Sequence, residues 1–378
     1  MRYVKLASVL LLACVASPAF AQQDFRTDAN NDEKLPWFQT VPGEFPPEGS
    51  AHYFSGELVG KDHIHRTATL RVSRTDAQRR SHWDLPINIR LLPYGSLSYH
   101  GAPAALKDIP IGTHLHGWFY VKDEGEETRS IFYNRKSIES DFTKAFRLED
   151  DFSYYQNKKQ LWTVDRIDLD SMKLTLTSAP KDQSDSETIE LDLNPATRVY
   201  LGKQIGTLND LAPGQKVLFN LTWATLYGIG RCTDLWLDEE SRQVASGQQL
   251  AQHRLHQKDR GLAGIIDAVD NQKRILTVTL FGGVDPALLD DLQVKASAAV
   301  VVSEPTLQIY DQVNDRKSGP ILSKTDVAPK PGSSGVQIQV QPSLLLEGYR
   351  PGRIVRIFPS SWPVQTLPEE ETLWPERD

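Results

Sequence analysis

From Tyr53 onward, apolar and polar residues alternate at a period of two, and the alternation comes in three rounds with shared punctuation. Each round opens with an alternating run, a polar turn led by aspartate, and a second alternating run. Gly56-Glu57-Leu58-Val59 leads through Asp62 to Ala68-Thr69-Leu70, Trp162-Thr163-Val164 through Asp168 to Leu174-Thr175-Leu176, and Gly264-Ile265-Ile266 through Asp270 to Leu276-Thr277-Val278. β-Branched residues on either side of an Asp-led polar turn predict a strand, a turn and a strand.

The next strand repeats as well: Ile87-x-Ile89-x-Leu91-x-Pro93, Ile189-x-Leu191-x-Leu193-x-Pro195 and Val336-x-Ile338-x-Val340-x-Pro342. Between the first two rounds the offset is 102 positions, and it holds through Asp108 and Gly112, which match Asp210 and Gly214. Period two with one apolar face describes a half-buried strand, and the closing proline cannot donate to a ladder. Each round then reaches Ile111-Gly112, Pro213-Gly214 or Pro351-Gly352, which fit the central positions of a type II turn, where glycine takes a positive φ without strain. The last strands are expected at His114 to Val121, Lys216 to Trp223 and Ile354 to Pro359. About five short strands per round predict a mainly β protein of three tandem, small, OB-like barrels, which also disposes of exposed sheet edges.

The barrels are expected over 51–133, 161–238 and 261–359. Two charged stretches rich in helix formers, 134–160 and 239–260, predict helical connectors. Residues 303–335 read as an insertion in the third barrel with little periodicity. Residues 22–50, rich in Pro and Gly, read as a flexible leader, and 360–378 as a disordered tail apart from Trp362 and Trp374.

The opening Gly264 to Asp270, the run Leu276 to Thr279, and Leu208-x-Asp210-Leu211-x-x-Gly214-x-x-Val217 resemble a family of exported bacterial OB-like β-domains of unknown function. The resemblance covers the second and third rounds best. It implies a fold and a compartment, and brings no catalytic residues.

Residues 1–21 have the form of a secretory signal: Arg2 and Lys5, then the apolar stretch Leu6 to Ala16, then Ala19-Phe20-Ala21 as a small-x-small cleavage site. The chain is therefore expected to be exported, periplasmic or extracellular. Leu11-Leu12-Ala13-Cys14 also resembles a lipidation motif, but its apolar stretch is short, so an anchor at Cys14 is not expected. No later stretch approaches the roughly 18 to 20 apolar residues that span a bilayer. Loss of the two signal cations takes the formal charge from −7 to −9, which disfavours nucleic acid as a partner. Cys232 is then the one remaining thiol, expected to be a small buried apolar residue.

Seven of the nine histidines fall in the first round. His114-Leu115-His116 puts two imidazoles on one strand face, and Leu115 aligns with the inward Val217 and Val355, so the pair should face outward from the barrel. With His52 or His100 it would make a transition-metal site; exposed imidazoles without metal are the simpler outcome. His63-Ile64-His65 aligns with the hairpin turn Asn271-Gln272-Lys273 and reads as solvated. Trp118, Tyr120 and Trp223 offer an aromatic ligand face, against which stands packing on the connector helices. The adjacent pairs Asp150-Asp151 and Asp290-Asp291 point opposite ways on a strand and read as solvated turns. No calcium loop, phosphate loop, dinucleotide fingerprint, Gly-x-Ser-x-Gly or His-Glu-x-x-His occurs.

These observations lead to an exported, non-catalytic binding or scaffolding protein of the periplasm or cell envelope, with no cofactor and with an envelope protein, peptide or polysaccharide as partner. A transition-metal-binding protein working through the first barrel is the alternative. A hydrolase of envelope polymer is the third, resting only on compartment and aromatic content.

Overall fold

The computed structural model describes residues 25–73, 86–126, 141–178, 186–222, 231–302 and 316–363. Residues 1–24 with Cys14, and Trp223, Trp374 and residues 303–315, lie outside them. Three small β-barrels close in sequence, each around its own apolar core.

Barrel one comprises β1 (His52–Asp62), β2 (Thr67–Val72), β3 (Pro86–Tyr99), the short β4 (Ala102–Ala104), β5 (His114–Val121) and β6 (Phe142–Asp150). Five strands close in the order β1-β2-β3-β6-β5, with β3 and β6 parallel and the remaining pairs antiparallel. This is the Greek-key arrangement of an OB barrel.

Barrel two repeats it with β7 (Trp162–Asp168), β8 (Lys173–Ser178), β9 (Thr188–Asp192), β10 (Arg198–Leu201), β11 (Gln204–Gly206), β12 (Lys216–Thr222) and β13 (Arg231–Trp236). Here β13 pairs in parallel with β9 through one bridge, Asp192 opposite Arg231, and with β10 from Arg198 to Tyr200.

Barrel three differs. Its strands β14 (Leu262–Asp270), β15 (Ile275–Phe281), β16 (Ser297–Val302), β17 (Lys317–Asp326), β18 (Ser333–Val340) and β19 (Ile354–Pro359) close in the order β14-β15-β18-β17-β16-β19, all antiparallel. The stretch 303–335, expected to lack periodicity, therefore supplies β17, a barrel stave.

The repeat is physical down to single hydrogen bonds. Each first strand carries a bulge four residues before its turn aspartate, just after Leu58, Val164 and Ile266. The carbonyls of Leu58, Val164 and Ile266 accept from Gly112, Gly214 and Gly352 respectively, whose φ values are 95°, 88° and 81°. At the hairpin turns Asp62, Asp168 and Asp270 accept backbone N–H groups through Oδ1, and Arg66, Met172 and Arg274 follow in left-handed conformation. An Asp side chain that substitutes for a backbone acceptor is what makes the sharp reversal cheap.

Two connectors hold the barrels together. Of residues 134–160, expected to be a helical connector, 134–140 lie outside the described residues; Phe142–Asp150 is the strand β6, followed by the short helix α1 (Asp151–Asn157). Lys144, Ala145 and Phe146 are good helix formers or tolerated in helices, but pairing on both sides, with β3 and β5, overrides that propensity. The second connector is one helix, α2 (Glu239–Arg260), capped by Asp238 through the amide of Ser241. Gln249, His253, His256 and Arg260 fall on one face at helical spacing. Gln249 and Gln252 donate to Asp108 of barrel one, and Gln257 donates to the Gly283 carbonyl of barrel three.

The expected flexible leader is docked. Phe38 lies edge-on to Tyr120, Trp37 to Phe142, and Phe45 to Phe281, with Tyr94 beside it. Composition hid this because the contacts come from isolated aromatics with no period. In the tail, Trp362 closes barrel three, its Nε1 donating to Asp291 at 2.7 Å.

Candidate functional site

His114 and His116 flank Leu115, which is fully buried in barrel one. Alternation along β5 therefore turns both imidazoles outward, as the pattern requires. They are nevertheless only 7% and 5% exposed. The expectation of exposed imidazoles is corrected for one reason: α1 and barrel two cover that face.

The cover is specific. Asp150 ends β6 and caps α1, its Oδ1 accepting the Ser153 amide at 2.9 Å, so Asp151 becomes the first helical residue. Its side chain reaches back over β5. Asp151 Oδ1 meets His114 Nδ1 at 2.8 Å and His116 Nε2 at 3.0 Å, while Oδ2 accepts the Leu221 amide of β12 at 2.9 Å. That amide is available because the β12–β13 ladder shifts register between Asn220 and Leu221. Asn220 completes the joint by donating to Asp150 Oδ2 at 2.8 Å and accepting the Phe152 amide at 2.9 Å.

The outer ring nitrogens are partnered too, His114 Nε2 with Ser73 Oγ at 3.1 Å and His116 Nδ1 with the Tyr53 hydroxyl at 2.7 Å. Tyr154 stacks flat on His116, 3.6 Å between centroids. One assignment satisfies every atom: an ionised Asp151, and neutral imidazoles that donate to it and accept from the two hydroxyls.

The electrostatics agree. Burial pushes Asp151 up, but the facing His114 and the hydrogen bonds from both imidazoles outweigh it and hold the carboxyl well below the usual range. Burial lowers His116, which keeps it neutral. Burial also raises the Tyr53 phenol, with Tyr154 and Asp151 adding to the effect.

Among the described residues, His114, His116 and Asp151 form a group whose donor atoms lie within 4.8 Å of one another. His52 and His100 do not join it. His52 bonds Asp28 of the leader, while His100 sits at the β3–β4 turn with φ 52° and donates its amide to Asp150. Asp150 and Asp151, expected in a solvated turn, are 0% and 1% exposed. The strand-parity reasoning failed because they straddle a strand end and a helix start. The signal that could have found them is Asp150 three residues before Ser153, a helix N-cap spacing.

Of the proposed aromatic face, Tyr120 is buried beneath Phe38 and hydrogen-bonds Ser50, so the leader occupies it. Trp118 is half-buried under the Arg147 guanidinium, 3.6 Å from the ring centroid. Trp223 falls outside the described residues. Cys232 is fully buried, its thiol pushed well up by burial.

A second concavity lies between barrels one and three. It is a cleft of 470 Å³ edged by the leader residues Thr40 to Gly43, walled by Leu91, Leu92, Tyr94, Ile265 and Ile354, and bearing Arg66, Arg90, Lys144 and Arg353 beside the carboxylate of Asp123. Asp123 pairs with Lys144, Glu126 with Arg90 at 3.5 Å, and Arg66 donates to the carbonyls of Pro93 and Gly95.

No protein-family model, curated protein or solved structure gives a significant match to this chain. Among the described residues no helix is long and apolar enough to cross a membrane.

Proposed function

We propose that the chain is an exported, non-catalytic binding protein of the periplasm or cell envelope, and that it holds an acidic segment of another envelope protein in the cleft between barrels one and three. The observation that carries this reading is the contrast between the cleft and the chain. The whole sequence is acidic, at −7, yet four cations line the cleft against two carboxylates, Asp123 beside Lys144 and Glu126 beside Arg90. A local field of opposite sign to the net charge attracts anionic partners. The apolar walls favour a peptide that mixes acidic and apolar side chains over a uniformly hydrated polysaccharide. Export rests on the signal-like residues 1–21, and a periplasmic product beginning at Gln22 would support it.

The test is fluorescence anisotropy of mature protein with a labelled Asp/Leu-rich peptide and its Lys/Leu counterpart. Binding of the acidic peptide should weaken about tenfold in Arg90→Glu, as expected for a close charge contact. Equal affinity for both peptides would sink the proposal.

A second reading, transition-metal binding, is favoured by the donor group of His114, His116 and Asp151. Tetrahedral ligands at about 2.0 to 2.1 Å from zinc stand about 3.3 Å apart, so the group would have to adjust slightly and each imidazole would have to move its proton from the facing to the outer nitrogen. The Ser73 and Tyr53 hydroxyls would then accept from the outer nitrogens, the support that metal-bound histidines usually have. Elemental analysis of untagged protein beside the His114→Ala/His116→Ala double variant decides it: stoichiometric metal lost in the variant supports the reading, and none in either removes it.

A further inference from the structure

Ser73, His114 and Asp151 stand in the order of a nucleophile, a base and a carboxylate. Ser73 Oγ lies 3.1 Å from His114 Nε2, and His114 Nδ1 lies 2.8 Å from Asp151 Oδ1. The neutral imidazole that satisfies this network donates from Nδ1 and turns its Nε2 lone pair to the hydroxyl, the tautomer that a general base for serine requires. Such a constellation is defined by geometry and roles, so the lack of a Gly-x-Ser-x-Gly motif does not bear on it.

Strand alternation brings the three together. Leu70 and Val72 of β2 point into the core of barrel one, so Arg71 and Ser73 point outward, as His114 does. β1 lies between β2 and β5, and His114 reaches across it to Ser73. Ser73 is half-buried, while the imidazole behind it is 7% exposed. Arg71 adds a cation on the same face, its Nη2 paired with Glu57 at 3.2 Å.

The Ser73 amide is spent on the Ser55 carbonyl, at 2.7 Å. It therefore does not serve as an oxyanion donor, and one missing donor costs about 100- to 1000-fold in rate. That suits the arrangement to esters with good leaving groups rather than to amides.

We propose that Ser73 is a nucleophile toward carboxylic esters, with His114 as its base and Asp151 as the positioning residue. Ser73 Oγ bonds to the acyl carbon, the alkoxide leaves with the proton that His114 Nε2 took from the hydroxyl, and water then releases the acyl group by the same route. The proposal goes beyond the binding reading, does not use its cleft, and would correct it only in its non-catalytic part.

The experiment treats the mature protein with a fluorophosphonate, in which Ser73 Oγ bonds to phosphorus and fluoride leaves, and maps the adduct by mass spectrometry. One adduct per chain is expected, on Ser73, and none in Ser73→Ala. Asp151→Asn should slow labelling at least about tenfold while keeping a cooperative urea transition, because its amide donates to Nδ1 and moves the imidazole proton to Nε2. If that variant does not fold, Ser73→Cys decides. Iodoacetamide should alkylate the new thiol faster than free cysteine at the same pH, since the imidazole draws off its proton. The proposal is overturned by no adduct on Ser73, by unchanged labelling in a folded Asp151→Asn, or by a Ser73→Cys thiol no faster than free cysteine. Stoichiometric metal on His114 and Asp151 overturns it as well, since it takes the same atoms.

Discussion

Asp151 of α1 and Leu221 of β12 join two barrels through one hydrogen bond, 2.9 Å from the Leu221 amide to Oδ2, while the other oxygen of the same carboxylate holds His114 and His116. A single side chain thus satisfies three buried donors from two domains. Barrels one and two are therefore coupled by polar geometry as well as by the apolar contact of Phe152 with Trp236.

Replacing that carboxylate should separate hydrogen bonding from charge. Asp151→Ala strands three buried donors, at about 1 to 3 kcal/mol each, so a loss on the order of 3 kcal/mol or more is expected in urea unfolding. Asp151→Asn should cost less, about 1 to 2 kcal/mol, because the amide oxygen can still accept from Leu221 while its two N–H groups donate to imidazoles that switch tautomer. If the two variants prove equally damaging, the anion itself is indispensable.

Gly214 and Gly247 make opposite predictions for one substitution. Gly214 has φ +88° with nothing within 4 Å of an added Cβ, so Gly214→Ala isolates the backbone term and should destabilise by about 1 to 2 kcal/mol. Gly247 lies inside α2, also with open space around it. Gly247→Ala should stabilise by up to about 1 kcal/mol, read as a rise in Tm.

The three hairpins, their aspartate turns and the glycine turns were legible because each is local: period-two apolar positions and a residue type that the turn geometry demands. β6 was not legible. Its helix-forming residues Lys144 and Ala145 are extended only because β3 and β5 flank them, a contact the sequence does not display. The same holds for the site. The outward parity of His114 and His116 follows from Leu115, but what covers them depends on where α1 turns, and Asp151 acts across 35 and 37 residues of chain.

Phe45 anchors the leader between barrels one and three, against Tyr94 and Phe281. Its side chain is half-buried, so Phe45→Ala should cost about 2 kcal/mol, below the range of a fully buried phenylalanine. Limited trypsin digestion offers a second readout: cleavage at Lys34 should accelerate in the variant ahead of global unfolding. An unchanged rate there would mean that Phe38 and Trp37 hold the leader without Phe45.

Acid should destabilise the protein earlier than carboxylate chemistry alone would. Burial lowers His100, His116, His253 and His256 from the ordinary 6.5. For each, the unfolded chain takes up a proton near pH 6.5 while the folded chain does not, so stability is complete above 6.5 and falls below it, by up to about 1.4 kcal/mol per pH unit per histidine. Glu57, Glu149 and Asp150 act the other way: burial raises them, so the folded chain takes up their protons first and gains stability as pH falls toward their raised values. Asp151, held low, loses its contribution only as pH drops below its ordinary 3.8. Four lowered histidines favour the unfolded chain from 6.5 downward against three raised carboxyls that favour the folded one, so the histidines outweigh the carboxyls in the upper part of the window. The unfolding free energy in urea should therefore decline between pH 7.5 and 5.5. A flat or rising profile would mean that the buried imidazoles titrate normally in the folded chain, and that His116 carries a charge beside Asp151.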